Sequence, residues 1–595
     1  MPYFPVRKKI VRRAPAAEAG RLESLPPLLR RVYAARQIAS PDELDRSLAR
    51  LPSPWLLSGM EAMTLHLIEA IEQGRSLMII GDYDADGATA SALAMRGLRA
   101  LGLERVGYLV PNRFEYGYGL TPEIVALAAE RQPDILLTVD NGISSLDGVQ
   151  VARALGMRVL ITDHHLAGAE LPEAHAIVNP NLPGEEFPGR ALAGVGVMFY
   201  VLMALRQRLR ERGYFQQPGR PEPNLGQWLD LVALGTVADV VPLDRVNRIL
   251  VHQGLQRIRS GQSQPGILAL LESAGRKPRL VTATDLGFFA GPRLNAAGRL
   301  DDMTLGIECL LTDSRETADE LAALLNEFNR ERRGIEEHMK RQALTSLGPL
   351  DEAALQQRPA LCLFREDWHP GVVGLVASRI KDRIHRPVIA LAPANPEQPV
   401  CPEIRGSGRS IPGIHLRDVL ADVATRHPGL LKKFGGHAMA AGLSLPREHV
   451  PEFMQAFEAE VRRHAENVDL EHAVQTDGPL DWVEIDLATA ELLQAAGPWG
   501  QGFPEPLFDG HFVVTGSRIV GERHLKLTLK PPQSEETLDA IAFGLDNPGE
   551  WLRCQEIRAA YKLDVNEFRD NRRLQLRIEY MESGDQGQGD RLSEA

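Results

Sequence analysis

From about residue 74 the chain alternates short apolar runs with stretches whose apolar positions recur every three or four residues. The runs Leu77–Ile80, Val106–Val110, Ile135–Val139, Val159–Thr162 and Ala176–Val178 read as strands, with helices fitting at about 89–101, 122–131 and 146–155. Such alternation predicts parallel βαβ units. A longer apolar run, Leu229 to Val241, reads as a further strand-like segment. Residues 313–346 are highly charged around an apolar stripe and predict one long amphipathic helix, either a solvated surface element or a connector between two α/β segments. A smaller α/β region follows at about 355–465, with strands Ala360–Phe364 and Val388–Leu391 and a helix at about 372–384. From about 475 the period shortens again: His511–Val514, Leu525–Leu529, Leu538–Phe543, Ala559–Val565 and Leu574–Tyr580 suggest a small barrel, plausibly an OB-fold.

The expected architecture is therefore α/β and multidomain. A parallel-sheet domain spans 61–250, and a helical region with the connector helix spans 251–350. A smaller α/β domain covers 351–468 and an OB-like barrel 469–582. Residues 1–60, rich in Pro and Arg, read as an N-terminal extension, and 583–595 as a disordered tail.

Composition narrows the class. The 595 residues are 44% hydrophobic and 25% charged, ordinary for a globular chain with several cores. The longest apolar candidate, Ala191 to Leu205, is too short to span a bilayer and is flanked by Arg190 and Arg206, so it reads as a buried helix. The N-terminus lacks the apolar core of a signal peptide, so a cytoplasmic location without a membrane partner is expected. The four cysteines are far apart and form no C-x-x-C pair, which argues against a zinc knuckle or a disulfide framework. A net charge of −12 disfavours a protein that coats nucleic acid but leaves room for an enzyme with a local basic groove. Nothing suggests a coiled coil, and a monomer is expected.

The chemistry sits where apolar runs end. Leu77–Ile80 leads into Gly81-Asp82-Tyr83-Asp84-Ala85-Asp86-Gly87. Clustered carboxylates repel one another unless a cation sits among them. Read alone, the segment is equally a polar turn that caps the next helix. But Ile135–Val139 leads into Asp140, Val159–Thr162 into Asp163-His164-His165, and Asp239 lies inside the apolar run GTVADVVP. A carboxylate there is costly to bury unless it is paired or ligates a metal. Ligands of open parallel sheets bind beyond the carboxyl ends of the strands, so these clusters are expected to converge on one crevice. Carboxylates with one or two imidazoles and no thiolate suit Mn2+ or Mg2+. Two such ions fit in-line phosphoryl chemistry, so a metal-dependent phosphoesterase is indicated.

The Asp163-His164-His165 triplet, in order and spacing with DYDADG, VDNG and GTVADV, resembles the DHH phosphoesterase superfamily. The likeness extends to GPRLNAAGR at 291–299, Trp368–Gly374, Arg405–Ser410 and Phe434–Gly442, and covers nearly all of residues 60 to 580 without departure at the metal positions. Its nearest form is the bacterial branch of single-stranded-DNA exonucleases. That resemblance implies 5′-to-3′ hydrolysis of single-stranded DNA to 5′-mononucleotides in repair and recombination, with two Mn2+ or Mg2+ ions. It implies Asp84, Asp86, Asp140, His164 and Asp239 as metal ligands, with Asp140 bridging. Asp82 would lie in or just behind that shell, His165 would contact the scissile phosphate or assist proton transfer, and Asp163 would orient its neighbours. It implies single-strand-binding protein and a RecQ-like helicase as partners, and a nucleoid-associated location. The alternative within the superfamily is a phosphoesterase for short oligonucleotides or cyclic dinucleotides, whose members lack the C-terminal barrel.

A further polar set is expected to hold nucleic acid. Arg405, Ser407, Arg409 and Ser410 lie in a Gly-rich segment read as a phosphate-binding loop; Arg293, Asn295, Arg299 and His437 are candidate phosphate contacts. Tyr116, with Phe114 and Tyr118, is a candidate base-stacking residue, and packing within a β–α loop is the equal alternative. Arg518, Lys526 and Lys530 are the barrel's obvious cations.

Overall fold

In the computed structural model the first five apolar runs pair into a single parallel sheet: β1 (Leu77–Gly81), β2 (Val106–Leu109), β3 (Ile135–Val139), β4 (Arg158–Thr162) and β5 (Ala176–Val178). The strand order is β2-β1-β3-β4-β5. Every residue of β1 and β3 is buried, as a parallel sheet covered on both faces requires. The order reverses between β1 and β3, the switch point at which an open sheet leaves a crevice beyond its carboxyl ends. Described residues are 8–14, 22–110, 118–347, 358–395, 398, 401–466, 468, 470–545, 547–568 and 571–584.

Helix α1 (Ala85–Ala100) starts directly after the β1 loop and is almost entirely buried. Its small side chains allow close packing: a Cβ at Gly97 would fall 2.3 Å from Leu202 Cδ1 of α2 (Gly194–Glu211). The run Leu229 to Val241, expected as strand-like, is instead helix α3 (Leu229–Ala238). It is apolar on all sides because helices surround it, and that pattern cannot be told from a central strand by periodicity. Two glycines allow close packing here: a Cβ at Gly254 would lie 2.2 Å from the Leu229 carbonyl oxygen, and one at Gly235 would lie 2.2 Å from Thr89 Oγ1. Asp239 therefore reaches the sheet end from a helix C-terminus.

The GPRLNAAGR segment is helix α4 (Gly291–Leu300), and α5 (Arg315–Leu347) is the long charged helix. The chain forms two compact units: 40–332 with 497–505, and 1–39 with 333–496 and 506–595. The passage from one to the other falls inside α5. Residues 1–60, read as one extension, thus divide at residue 39.

In the second unit, β6 (Leu361–Phe364), α6 (Val373–Ile384), β7 (Val388–Pro393), β8 (Glu403–Arg409), β9 (Lys433–Gly436) and β10 (Ala440–Pro446) build a mixed sheet of order β9-β10-β8-β7-β6. The Arg405–Ser410 segment, expected as a loop, is mostly strand β8. Its glycines serve packing and not turning: a Cβ at Gly406 would fall 2.5 Å from Leu391 Cδ2, and one at Gly408 2.7 Å from Leu416 Cδ2. Burial alternates along β8, so Arg405, Ser407 and Arg409 share its more open face.

The C-terminal strands β11 (Phe508–Val520), β12 (His524–Lys530), β13 (Leu538–Ala542), β14 (Glu556–Phe568) and β15 (Asn571–Ser583) close a barrel of order β11-β12-β13-β15-β14, with β13 parallel to β15. This is OB-type connectivity. Lys8–Arg12 pairs in parallel with His472–Thr476. The expected tail lies outside the described residues from 585 onward. Among the described residues no helix is long and apolar enough to cross a membrane.

Candidate metal centre

Each acidic side chain at the sheet end is placed by the backbone that carries it. Beyond β1, Asp82 turns inward and is buried, and a Cβ at Gly87 would fall 2.6 Å from its Cβ. Asp84 caps α1: its Oδ1 accepts from the amides of Asp86 (2.9 Å) and Gly87 (3.0 Å). Beyond β3, Asp140 takes the left-handed conformation, φ 63°, which Asp tolerates better than most residues. Asn141 fixes this corner by donating to the carbonyls of Ile80 (3.0 Å) and Val139 (2.9 Å), which ties β1 to β3.

Beyond β4, Asp163 is a clamp. Its Oδ1 accepts from the amides of His164 (2.7 Å) and His165 (3.0 Å) and from His165 Nδ1 (2.8 Å), while Oδ2 accepts from the Ile143 amide (2.9 Å). Asn179 and Asn181 donate to the carbonyls of His165 (2.9 Å) and His164 (2.6 Å). With Nδ1 engaged by Asp163, Nε2 of the His165 ring lies 3.4 Å from the Tyr118 hydroxyl.

Asp86 is held differently. Its two oxygens accept from the amides of Gly194 (2.6 Å) and Val195 (3.0 Å), the first residues of α2. The positive end of an 18-residue helix therefore abuts the acidic cluster. Gly194 is required for the approach, since a Cβ there would lie 2.5 Å from Asp140 Cβ and 2.6 Å from its Oδ1.

These elements bring together every acidic and imidazole residue expected at the sheet end. Ligand atoms of Asp82, Asp84 and Asp140 lie within 4.8 Å of one another; so do those of Asp140, His164 and His165, and those of Asp86, His164 and Asp239. His164 Nε2 is 3.1 Å from Asp140 Oδ1 and 3.6 Å from Asp239 Oδ2. Asp140 Oδ1 is buried and accepts no hydrogen bond. Burial, and then repulsion from the neighbouring aspartates, pushes Asp140 and Asp239 well above the usual carboxylate range and Asp86 up to about 7. For His165 burial opposes the charge, but the bond to Asp163 and the nearby Asp82 and Asp239 push it up to about 9. A buried, oxygen-rich donor set with imidazole and no thiol, its carboxylates in mutual repulsion, fits hard divalent cations such as Mn2+ or Mg2+.

Several residues expected on nucleic acid serve the fold as well. Asn295 Oδ1 accepts from the Ala85 amide (2.8 Å), and a Cβ at Gly298 would lie 1.8 Å from the Tyr83 carbonyl oxygen, so α4 braces the DYDADG loop. Arg293 is buried and donates to the Phe289 carbonyl (2.7 Å) and to Asn326 Oδ1 (2.8 Å). Arg299 is in the last turn of α4. Tyr116 and Phe114 lie outside the described residues; Tyr118 donates to the Asp140 carbonyl (3.2 Å) and meets the His165 ring edge-on at 5.8 Å.

Ser410 is buried, its Oγ donating to the Ile414 carbonyl (2.7 Å), and His437 follows β9 with its amide donating to the Ala440 carbonyl (2.8 Å). Arg409 Nη1 donates to Ser407 Oγ (3.0 Å) and to the Gly408 carbonyl (2.8 Å), and burial draws its pKa down with no acidic group offsetting it. In the barrel, Lys526 and Lys530 hold Asp539 (2.7 Å) and Glu535 (3.0 Å). Sequence reasoning missed Gly194, Val195, Asn179 and Asn181. Their signals were a small-residue run opening an apolar helix and two asparagines flanking Pro180 beyond β5.

Residues 76–236 match the DHH family N-terminal domain, 357–463 the DHHA1 domain and 476–580 the RecJ OB domain. The chain is 52% identical over 574 residues to the single-stranded-DNA-specific exonuclease RecJ of Dickeya dadantii, covering 96% of this chain and 98% of that one. Against the protein of the same name from Escherichia coli it is 51% identical over 559 residues, covering 93% and 96%. Among solved structures, RecJ in complex with Mn2+ from Thermus thermophilus matches with a TM-score of 0.79 at 30% identity, covering 97% of this chain and 80% of that one. The Mg2+ complex from the same organism matches with a TM-score of 0.73 at 29% identity, covering 97% of this chain and 79% of that one.

Two outcomes test the centre itself. Asp140→Asn removes one of the repelling charges, so the metal-free protein should melt a few degrees higher than wild type, while the further rise on adding Mn2+ disappears. A scanning-calorimetry profile in which the variant still responds to Mn2+ would remove Asp140 from the ligand set. Gly194→Ala should weaken Mn2+ binding by at least about tenfold in titration calorimetry with the fold intact, because displacing Asp140 costs ligand geometry.

Proposed function

The chain belongs to the RecJ family within the DHH superfamily, and from that membership, together with the acidic centre, we infer that it is a metal-dependent exonuclease that hydrolyses single-stranded DNA from its 5′ end and releases 5′-mononucleotides. The observation that carries the chemistry is Asp140, whose carboxylate belongs both to the cluster with Asp82 and Asp84 and to the cluster with His164 and His165. One carboxylate common to two adjoining donor sets suits a bridge between two divalent cations. Asp84 and Asp140, with Asp82 beside them, would hold one ion; Asp86, His164 and Asp239, with Asp140 shared, would hold the other. The α2 amides bond both oxygens of Asp86 and so fix its distance from the helix. When bound, such a pair supplies an activated water and neutralises charge on the leaving oxygen.

The protein's own groups do the positioning. Asp163 sets the His165 ring and stabilises its cationic form, so His165 is poised to donate from Nε2 to a phosphate oxygen or to the departing group. The α2 N-terminus adds positive potential on the side where the phosphodiester brings negative charge. In the second unit, Arg409 and Ser407 are the favoured phosphate contacts. They lie beside Gly374 in the first turn of α6, where a Cβ would meet Ser407 Oγ at 2.8 Å and Arg409 Nη2 at 3.0 Å. That helix start has no side-chain cap. A half-buried guanidinium with no acid, next to uncapped helix amides, suits an anion, and the 5′-terminal phosphate is the anion assigned to it. Family membership extends the reading to single-strand-binding protein and a RecQ-like helicase as partners at the nucleoid, which pull-down with purified proteins tests.

With end-labelled oligonucleotides and Mn2+, wild type should degrade single strands from the 5′ end and leave blunt duplexes intact. Asp140→Ala should lose at least about three orders of magnitude in rate. Preference for a dinucleotide over a long strand would favour the short-substrate phosphoesterase reading. Arg409→Ala should raise KM about 10- to 100-fold for 5′-phosphorylated strands, the scale of a lost charge-assisted hydrogen bond, and far less for 5′-hydroxyl strands. Equal losses on both would unseat the terminal-phosphate assignment.

A further inference from the structure

Between Ala283 and α4 the chain makes a π-helical turn, Leu286–Ala290, a rare form that concentrates at functional sites. The turn is fixed from several directions. Gly287 lies against Val237, with a Cβ there 3.1 Å from Val237 Cγ1, and Gly291 against Ala238, with a Cβ 3.0 Å from Ala238 Cβ. The carbonyl of Phe289 accepts from Arg293, and its ring lies 4.6 Å from the guanidinium carbon of Arg276. Arg276 in turn pairs with Asp285 at 2.6 Å.

Phe288, on the same pinned turn, is left 69% exposed. On the segment against which the turn packs, Ala238 is followed by Asp239, at the metal centre, and then by Val240. Val240 is 62% exposed and held at φ 63°. A β-branched side chain in the left-handed region is a strained conformation that persists where surrounding structure imposes it, and such residues cluster at ligand sites. Two large apolar side chains thus stand in solvent on neighbouring, rigidly held backbone, next to a metal-centre carboxylate, and no bond within the centre uses either.

We propose that Phe288, with Val240 on the adjoining segment, is a stacking platform for a nucleobase of the strand whose phosphodiester lies at the metal centre. Continuity with that centre through Asp239 selects the occupant. A phosphodiester positioned there carries its bases with it, and every base offers a π-face that an aromatic ring accepts without reading sequence. A rigid ring is the better platform because little freedom is lost when the base docks. The platform is a positioning device for the reaction inferred above and rests on that reading.

The experiment is an abasic scan. Wild type and Phe288→Ala, each with Mn2+, are given short single strands in which an abasic residue replaces each of the first few nucleotides in turn. Wild type should show one position at which loss of the base raises KM about tenfold with little change in kcat. Phe288→Ala should show that raised KM on fully based strands and no further increase at that position, and Phe288→Trp should restore the wild-type profile. Melting temperatures unchanged from wild type exclude a folding defect. A Phe288→Ala enzyme that keeps the wild-type KM, or still responds to the abasic position, overturns the platform while leaving the exonuclease intact. Wild type that releases no nucleotide in Mn2+ overturns the exonuclease reading, and the platform with it.

Discussion

Repulsion among buried carboxylates governs the first compact unit. Asp82, Asp84, Asp86, Asp140 and Asp239 crowd one end of a parallel sheet, and burial first, then their mutual repulsion, raises the pKa values of three of them. Such a cluster persists only if something compensates. Part is permanent: the amides of α2 bond both oxygens of Asp86. A divalent cation bound there would supply more, so metal affinity and folding stability draw on the same charges.

Around that centre the fold is arranged to fix directions, not only positions. Asp163 spends both oxygens on four donors, which fixes the backbone at both following histidines and the ring of His165. Asn141 bridges two strands, Asn295 reaches from α4 to the first loop, and Gly194 and Gly298 allow helix and loop to touch without an intervening side chain. The glycines and asparagines near the site are therefore as constrained as the charged groups. They act by holding the reacting geometry to a fraction of an ångström.

Much of this was legible in the sequence, because strand ends are marked by an abrupt change from apolar to acidic residues. Asp82, Asp84, Asp140, Asp163 and His164 each follow an apolar run; one such end reads equally as a polar turn, and it is their recurrence that points to a common crevice. The long charged helix and the five barrel strands were likewise apparent, since each has an unmixed period. What stayed hidden depends on neighbours distant in sequence. The Leu229 run has no polar face, so its period is silent, and only the closely packed glycines Gly235 and Gly254 reveal a helix among helices. In Arg405–Ser410 the glycines looked like turn residues, whereas the leucines facing them across the core exclude any side chain. The support of Asp86 by a helix more than a hundred residues away, and the membership of 497–505 in the first unit, carry no local signature.

The closed barrel has a consequence for how this protein meets other chains. Where β13 joins β15 (Ala540–Ala542) and β11 joins β14 (Phe508–Val513), main-chain donors and acceptors are spent on each other. Along these two seams no partner can extend the sheet by lending it a sixth strand. A chain that docks across them does so through side chains, where mutation retunes the contact without disturbing the hydrogen-bonded wall beneath.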